Sequence, residues 1–501
     1  MVGLIASIIY ATPPMVRNTM LGPERVPDAI REAGLMSGCT RRQQFWHVEV
    51  PTALPQILIG VNQTTMAALS MVIVAAIIGG FEDIGWEVLS SMRKAEFGQS
   101  ILSGLVIALP AILIDRTTLR FAKGRGGDPG RAPRWRFAAV LILAALLAFL
   151  IRLWWPEGAL LPQAGLRDHA TAANQWLLAL VRDYGWLFDG LRNSVLYGLL
   201  LPPRVGISGA ATPAVWGFAL TPALALAYGL AVLAAALLLA RRFGWQAGVV
   251  AALAGLLLYS GFLGFPWPAF IAIAALAAFQ AGGIRLALFA ASGFGLMLVS
   301  GLWVPLAQSL YLCVLAVLLC LVIGGALGVW AAASDRVSAV INPVSDALQT
   351  MPQFVFLIPA LMFFKVGEFT ALIAIMLYAI VPPVRYVGHG LRHVQTDVVE
   401  AVQQMGATPA QALFWAKLPL ALPVAMLGVN QTIMAALPLL LDIAALVGTR
   451  DLGQQVYVAP GKAVAGMGLI AGLSIAFLAI LSGRLIQGWV GSRRPGTPAG
   501  L

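Results

Sequence analysis

The sequence predicts an all-α polytopic membrane protein. Of its 501 residues, 60% are hydrophobic and 11% are charged, and the mean hydropathy of +0.86 excludes a soluble globular protein of ordinary composition. Apolar runs recur along the chain, each near the ~20 residues that a helix needs to cross a hydrocarbon core. Backbone polar groups must be satisfied inside that core, and no alternating strand pattern recurs, so helices are the predicted spanning form.

The net charge of +11 does not indicate nucleic-acid binding. Basic residues cluster in short loops, as the positive-inside rule predicts for cytoplasmic faces, and no basic segment is interleaved with aromatic residues. The three cysteines, Cys39, Cys313 and Cys320, do not have the spacing of a metal site or a disulfide framework. We therefore expect no metal, no cofactor and no nucleic-acid partner, and a lipid bilayer as the surroundings.

The chain contains a long internal duplication at an offset of 368 residues. "GVNQTTMAAL" (60–69) recurs as "GVNQTIMAAL" (428–437), and 18 of 38 positions are identical between residues 32–69 and 400–437. The offset also aligns Pro14 with Pro382 and Arg17 with Arg385. Both copies therefore belong to one membrane unit that was duplicated with the same orientation.

The predicted spans follow from hydropathy. In the first copy they lie near 2–17, 53–79 and 99–121, and after a basic linker they lie near 137–155, 213–240, 246–264, 266–281, 286–303, 304–333, 347–366, 369–386, 421–447 and 464–483. The stretch 156–212 then lies outside, as an interfacial amphipathic helix or a plain connector. The domains we expect are a partial unit (1–121), a cytoplasmic linker (122–136), the N-terminal spans of a second unit (137–303), its core (304–490) and a cytoplasmic tail (491–501).

Two loops on the predicted inner face, 32–51 and 400–419, each have the pattern of helix, glycine turn and helix. Gly38 and Gly406 suit the left-handed conformation that ends a helix. Thr40 with Gln43, and Thr408 with Gln411, form capping boxes for the helix that follows. Both loops share their other landmarks, which are Glu32, Ala33 and Pro51 in the first and Glu400, Ala401 and Pro419 in the second.

This spacing resembles the EAA loop of ABC importer permeases. "DALQTMPQFVFLIPAL", "YAIVPPVRYVGHGLRHVQTDVVEA", "LPLALPVAMLGVNQTIMAAL" and "GTRDLGQQVYVA" further resemble the glycine betaine/proline/choline branch. The resemblance implies a MetI-like fold and EAA loops that dock into separate ATPase subunits. It also implies a periplasmic or external substrate-binding protein, a small-molecule substrate and a bacterial inner-membrane location. The first copy resembles only the C-terminal half of a unit, so we expect a tandem two-permease chain whose first unit is truncated.

Candidate residues of a translocation path are Asn62, Gln63, Asn430, Gln431 and Asp442. Amides inside a span either bridge helices or face a wet cavity, and bridging is the better expectation. A carboxylate near the middle of a membrane is a functional hypothesis by default. Asp442 would suit a cationic substrate, but Pro438 could instead place it at an unwound, solvated helix end.

The sequence contains no Walker A motif and no catalytic constellation, so we expect a transport subunit whose partner chain hydrolyses ATP. Two other functions stay open. The internal repeat and polar residues within spans also suit an ion-gradient secondary transporter, and the incomplete first copy suits a permease remnant that does not transport.

Overall fold

The computed structural model is predominantly helical in the residues it describes. These are residues 2–79, 84–94, 96–123, 164–350, 353–462 and 464–491, with four isolated positions between 142 and 149. No strand occurs within these residues. This result confirms the predicted all-α class. Most of the predicted span 137–155, most of the linker 122–136 and nearly all of the tail 491–501 lie outside the described residues.

The chain forms two compact units. The first comprises residues 1–183 with 350–359, and the second comprises 184–349 with 360–501. Helices of the first unit are α1 (Val2–Glu24), α2 (Asp28–Met36), α3 (Arg41–Gln43), π1 (Gln44–Glu49), α4 (Val50–Gly79), α5 (Ile84–Arg93), α6 (Phe97–Lys123) and α7 (Ala164–Asp183). Within it α1 packs along α4, α4 packs on α5 and α6, and α6 packs on α7.

The second unit contains most of the remaining helices. In chain order they are α8 (Gly185–Val195), π2 (Leu196–Leu200), α9 (Leu201–Ala210), α10 (Pro222–Phe243), α11 (Trp245–Gly264), α12 (Trp267–Val299), α13 (Trp303–Ala333), α14 (Asp335–Thr350), α15 (Gln353–Phe364), α16 (Glu368–Ala379), α17 (Val381–Arg392), α18 (Thr396–Gln404), α19 (Pro409–Gln411), π3 (Ala412–Lys417), α20 (Leu418–Val447), α21 (Leu452–Gly461) and α22 (Ala465–Gly491). The division between the two units falls within α14 and α15.

The core of the second unit is built from α13, α16, α17 and α20. Helices α13, α16 and α20 are apolar around most of their surface, as helices buried in a membrane protein are. Leu312, Leu372 and Ile443 are each at most 2% exposed. A Cβ on Gly328 would lie 2.8 Å from the carbonyl oxygen of Val384, so small residues let α13 approach the backbone of α17 closely.

Eight helices in the described part of the chain are long and apolar enough to span a membrane. They are 98–118, 222–242, 245–264, 267–299, 303–333, 368–392, 409–444 and 465–489. The predicted spans 99–121, 246–264, 304–333 and 464–483 are confirmed. The predicted spans 2–17 and 53–79 are helical, within α1 and α4, but these helices are not among the eight.

One predicted span needs correction. The span near 213–240 begins only at Pro222, because Thr221 caps the helix there. The predicted division between the spans 266–281 and 286–303 is confirmed, because the backbone at Gly282 and Gly283 within α12 is non-helical. The chain folds back there, which brings the ring centroids of Phe270 and Phe294 to 5.3 Å from each other. Within the predicted span 347–366, residues 347–350 belong to α14 and residues 353–364 form α15, while residues 351 and 352 lie outside the described part of the chain.

The stretch expected to be an amphipathic helix is helical over most of its length. It forms α7, α8, π2 and α9, with a break at Tyr184. Trp176, Leu187 and Leu191 are each about half exposed or more. Exposed apolar side chains between charged ones suit a helix at a membrane interface better than a plain connector.

Candidate functional site

The loop 400–419 forms a helical hairpin, here called hairpin 2 (residues 396–417). Its first helix is α18, and Gly406 follows with a φ of 83°. Thr408 caps the next helix, because its Oγ1 accepts from the Gln411 amide at 3.3 Å while the Gln411 side chain accepts from the Thr408 amide at 2.8 Å. The predicted glycine turn and capping box are both confirmed.

Hairpin 1 (residues 28–49) has the same backbone design. Gly38 has a φ of 78°. The Gln43 amide donates to Thr40 Oγ1 at 3.4 Å, and the Thr40 amide donates to the Gln43 side chain at 3.0 Å. The same turn and cap in two separate segments show that the duplication preserved the hairpin as a structural element.

The two hairpins fill their interiors in complementary ways. In hairpin 1, Gly34 faces Val48 and the buried Gln44, and a Cβ on Gly34 would lie 3.3 Å from Val48. Val402 and Ala412 occupy the positions equivalent to Gly34 and Gln44, and Ala412 is 2% exposed. A small residue packed against a large one (Gly34 and Gln44) is therefore replaced by a larger residue packed against a small one (Val402 and Ala412). A packed interior tolerates such an exchange because the total volume is nearly conserved.

An arginine stabilises hairpin 1 alone. Arg31 donates to the Pro23 carbonyl oxygen at 2.6 Å, and its Nε lies 3.6 Å from the Glu49 carboxylate. The equivalent residues in hairpin 2 are Val399 and Lys417, which cannot form this pair. Hairpin 2 is thus held by apolar packing where hairpin 1 also has a polar contact.

Both hairpins present an exposed surface that combines acidic, small and large apolar residues. Glu32, Ala33, Glu400 and Ala401 are exposed. Large apolar side chains beside them are also exposed: Met36 by 91%, Trp46 by 59%, Met405 by 87%, Phe414 by 64% and Trp415 by 83%. Clustered exposed apolar residues at the end of a helical hairpin are typical of a protein interaction site.

The hairpin helices continue into spans without a loop. Arg41–Gln43, Gln44–Glu49 and Val50–Gly79 follow one another directly, as do Pro409–Gln411, Ala412–Lys417 and Leu418–Val447. The middle segment of each series is π-helical, with Pro51 and Pro419 two residues after its end. A third π segment, Leu196–Leu200, has Pro202 in the same position.

The prolines that follow these segments explain why the segments are π-helical. It lacks an amide hydrogen, and its ring clashes with the carbonyl four residues earlier. A turn with i→i+5 bonding relieves that clash without breaking the helix. The π segments were not predicted, although the shared position of Pro51 and Pro419 in the two copies was a usable signal.

In the first unit, amides bridge α1 and α4. Asn18 Nδ2 donates to Gln63 Oε1 at 2.8 Å, and Gln56 Nε2 donates to Asn18 Oδ1 at 2.7 Å. Asn18 is 6% exposed. Gln63 therefore acts as a helix-bridging residue in this structure, while its neighbour Asn62 is partly buried.

In the second unit the equivalent amides have different surroundings. Tyr386 replaces Asn18 and Val424 replaces Gln56, so the amide cluster has no counterpart. Asn430 Oδ1 lies 3.7 Å from the Cβ position of Gly483 on α22 and has no hydrogen-bond partner in the described residues. Gln431 is partly buried.

Asp442 is buried in the second half of α20. It is 7% exposed, and α20 is continuous from Leu418 to Val447 with Pro438 inside. The interpretation of a solvated, unwound helix end is therefore wrong. Asp442 lies 12 residues after Asn430, or about 18 Å along the helix, so these two candidate path residues do not form one site.

A polar cluster surrounds Glu368 and was not predicted from the sequence. Arg204 Nη1 lies 2.8 Å from Glu368 Oε1, and the Tyr311 hydroxyl donates to the same carboxylate. Nearby, the Asp189 carboxylate forms ion pairs with two cations. It lies 3.0 Å from Lys365 Nζ and 3.3 Å from Arg192 Nη2. Helices α16 and α17 run from Glu368 to Arg392, so this cluster lies at the end of the helices opposite hairpin 2. The sequence did contain a signal for this cluster, because Glu368 is an acidic residue between two apolar segments.

Comparison with known proteins identifies the family. Residues 1–155 and 324–494 match the family described as "Binding-protein-dependent transport system inner membrane component". The chain is 30% identical to the trimethylamine N-oxide transport system permease protein TmoV of Ruegeria pomeroyi, over 98% of this chain and 67% of that protein. The TmoV protein of Pelagibacter ubique is also 30% identical, over 98% of this chain and 62% of its own length.

A shorter relative matches part of the chain more closely. The glycine betaine/carnitine transport permease protein GbuB of Listeria monocytogenes is 43% identical over 38% of this chain and 69% of its own length. The two family regions, one at each end of the chain, agree with a tandem arrangement of permease units.

Proposed function

The chain belongs to the family of binding-protein-dependent transport system inner membrane components, and from that membership we propose that it is the membrane-spanning subunit of an ATP-driven osmoprotectant importer. Partner ATPase subunits hydrolyse ATP, and an external or periplasmic binding protein delivers the substrate. The location is the bacterial inner membrane, in agreement with the apolar helices. The chain spans 67% and 62% of the two long relatives, so the activity of the complete assembly is part of this proposal.

The observation that carries the proposal is the continuity between hairpins and spans. In each copy an exposed apolar surface adjoins a capped helix that runs through a π turn into α4 or α20. Force applied to such a surface moves the span as one body, since no flexible loop intervenes. ATPase subunits that bind the hairpins differently in two nucleotide states would therefore shift the equilibrium between inward-open and outward-open arrangements.

The proposed substrate is a small methylated amine. The names of relatives include trimethylamine N-oxide, glycine betaine and carnitine, which share a nitrogen with several methyl groups. We place Asn62, Gln63, Asn430, Gln431 and Asp442 on or beside the path. Asp442 would attract a cationic nitrogen, and Asn430 has an acceptor oxygen available in the described structure.

Substitution of Gly406 tests the docking role of hairpin 2. Gly406 has a φ of 83°, whereas proline fixes φ near about −65°, so Gly406→Pro should change the turn and abolish ATPase association while membrane insertion persists. Gly406→Asn is the matched control, because asparagine tolerates the left-handed conformation. The measurement is co-purification of the full chain with the partner ATPase subunit from the same cells. Normal association of the proline variant would refute the docking role.

Energy dependence separates the proposal from a secondary transporter. In vesicles that contain the full complex, uptake of labelled glycine betaine or trimethylamine N-oxide should require internal ATP and survive collapse of the ion gradients. Uptake that persists without ATP would favour an ion-gradient transporter, and ATPase association without uptake of any methylated amine would favour a permease remnant.

A further inference from the structure

A cavity of about 650 Å³ lies between α12 and α22 in the second unit. Its polar lining comes from Arg285, Arg484 and Gln487, and its apolar lining includes Leu286, Phe289 and Ile480. The volume is typical of a small-molecule site. The proposed transport cycle assigns no role to this cavity, which is separate from both hairpins and from the amide residues considered above.

Glycines create the cavity. The non-helical backbone at Gly282 and Gly283 interrupts α12. A Cβ on Gly488 would lie 2.1 Å from the carbonyl oxygen of Ala281, so the backbone of α22 touches the point where α12 breaks. Arg285 follows the break by two residues and therefore turns into the space that the interruption opens.

The two arginines have no anionic partner in this part of the structure. Among the described residues, neither guanidinium forms an ion pair or a hydrogen bond with a side chain. Two like charges that line one cavity repel each other unless an anion lies between them. Arginine's planar fork matches the oxygen geometry of a phosphate and binds it through paired hydrogen bonds.

The surroundings of the cavity are apolar and outward-facing. Ile284 is 61% exposed, Leu288 is 63% exposed and Ile480 is 52% exposed, on helices that are otherwise long enough to span a membrane. In a bilayer such side chains contact acyl chains. A free phosphate ion would gain nothing from them, whereas a phospholipid would place its headgroup at the arginines and its chains on the apolar surface.

The cavity lies toward the hairpin end of the second unit. Helix α20 begins directly after hairpin 2, and α22 starts, after α21, near the end of α20, so α22 runs back toward hairpin 2. Consistent with this direction, Asn430 of α20 lies beside Gly483, one residue before Arg484. The positive-inside pattern places the hairpin end on the cytoplasmic side, where basic pockets between spans bind anionic headgroups.

We propose that this cavity binds the phosphate of an anionic phospholipid from the cytoplasmic leaflet, through Arg285 and Arg484. Gln487 donates to the headgroup oxygens, and Leu286, Phe289 and Ile480 contact the upper acyl chains. The site is independent of the proposed transport function, because it requires neither an ATPase nor a transported substrate.

Lipid binding to the purified full chain tests this site. The protein is equilibrated in mild detergent with equal amounts of phosphatidylglycerol and phosphatidylcholine, and retained lipids are counted by native mass spectrometry. We expect a roughly tenfold preference for phosphatidylglycerol, or about 1.4 kcal/mol. Both lipids carry a phosphate, but the cationic choline of phosphatidylcholine is repelled by the two arginines, whereas the glycerol headgroup is uncharged. Equal retention of the two lipids by the wild-type chain would overturn the proposal without the need for any variant.

Two double variants test whether the preference for phosphatidylglycerol arises at this cavity. The double variant with Arg285→Gln and Arg484→Gln should abolish the preference. Arg241→Gln with Arg336→Gln removes the same charge from the same predicted face, outside the cavity, and should leave it intact. An unchanged preference in the first variant would contradict the assignment. Displacement of phosphatidylglycerol by millimolar inorganic phosphate would show that the site serves the soluble anion instead, and would also overturn it.

Discussion

The Cβ position of Gly428 lies 2.8 Å from the Cβ of Tyr386, where α20 crosses α17. In the other copy, Gly60 has the same relation to Asn18, also at 2.8 Å. Asn18 and Tyr386 differ in size and polarity, yet the separation is the same, because the glycine on the facing helix sets it. The duplication has preserved the backbone crossing while the chemistry of the side chain at the crossing has changed.

Gly428→Ala should therefore destabilise the second unit. The added methyl group has no room beside Tyr386, and overpacking of this kind costs about 1–3 kcal/mol. Thermal unfolding of the purified chain in detergent measures the loss. Gly472→Ala is the matched control, since a Cβ there meets nothing within 4 Å and alanine favours helix over glycine. If both variants unfold at the same temperature as the wild type, the crossing is not close-packed.

Asn18→Leu should destabilise the first unit by about 1–3 kcal/mol, because Gln56 and Gln63 then lose a buried partner. Replacing all three residues with leucine should recover much of that loss, since no amide is left unsatisfied. The comparison is made by thermal unfolding, with the exposed Thr12→Val as a control for loss of a side chain that bonds only within its own helix. A triple variant as unstable as Asn18→Leu would contradict the bridging role.

Local signals in the sequence predicted the hairpins correctly. A glycine turn followed by a Thr-x-x-Gln capping box depends on contacts within a few residues, so Gly406, Thr408 and Gln411 specify it without help from tertiary structure. Long apolar helices such as α13 were equally predictable. The late start of α10 was not, because hydropathy does not distinguish a helix from apolar residues in another conformation.

Contacts between distant residues were the least predictable part of the candidate site. The pairing of Asn18 with Gln63 depends on how α1 packs against α4, and the pairing of Arg204 with Glu368 joins positions 164 residues apart. Asp442 illustrates the same point, since its burial could not be distinguished from a solvated helix end until the path of α20 was known.

Arg204 and Glu368 should show energetic coupling. Their side chains are 29% and 18% exposed and 2.8 Å apart, so removal of one leaves a partly buried charge without its partner. We expect Arg204→Met and Glu368→Gln each to destabilise the chain, and the double variant to cost less than the two losses together. A double-mutant cycle of unfolding free energies measures the coupling at about 1–3 kcal/mol. Additive losses would mean that the pair contributes no specific interaction.

Asp451 should make stability depend on pH. It lies between α20 and α21, is 1% exposed, and accepts a hydrogen bond from the Gln454 amide at 2.9 Å. Burial raises the pKa of this carboxyl to about 6 from 3.8. The folded state therefore binds the proton more tightly than the unfolded state does, and stability from this group is greatest at low pH and is lost as the pH rises through 6.

Asp451→Asn removes this titration and retains the acceptor oxygen that caps α21. Relative to the wild type, the variant should gain about 1 kcal/mol of stability between pH 5 and pH 8, because only the wild-type chain must lose a proton from a buried group over that range. Unfolding midpoints at the two pH values measure the change, with the exposed Asp397→Asn as the control. A gain that is equal at both pH values would indicate a packing effect of the amide and would refute the proposed titration.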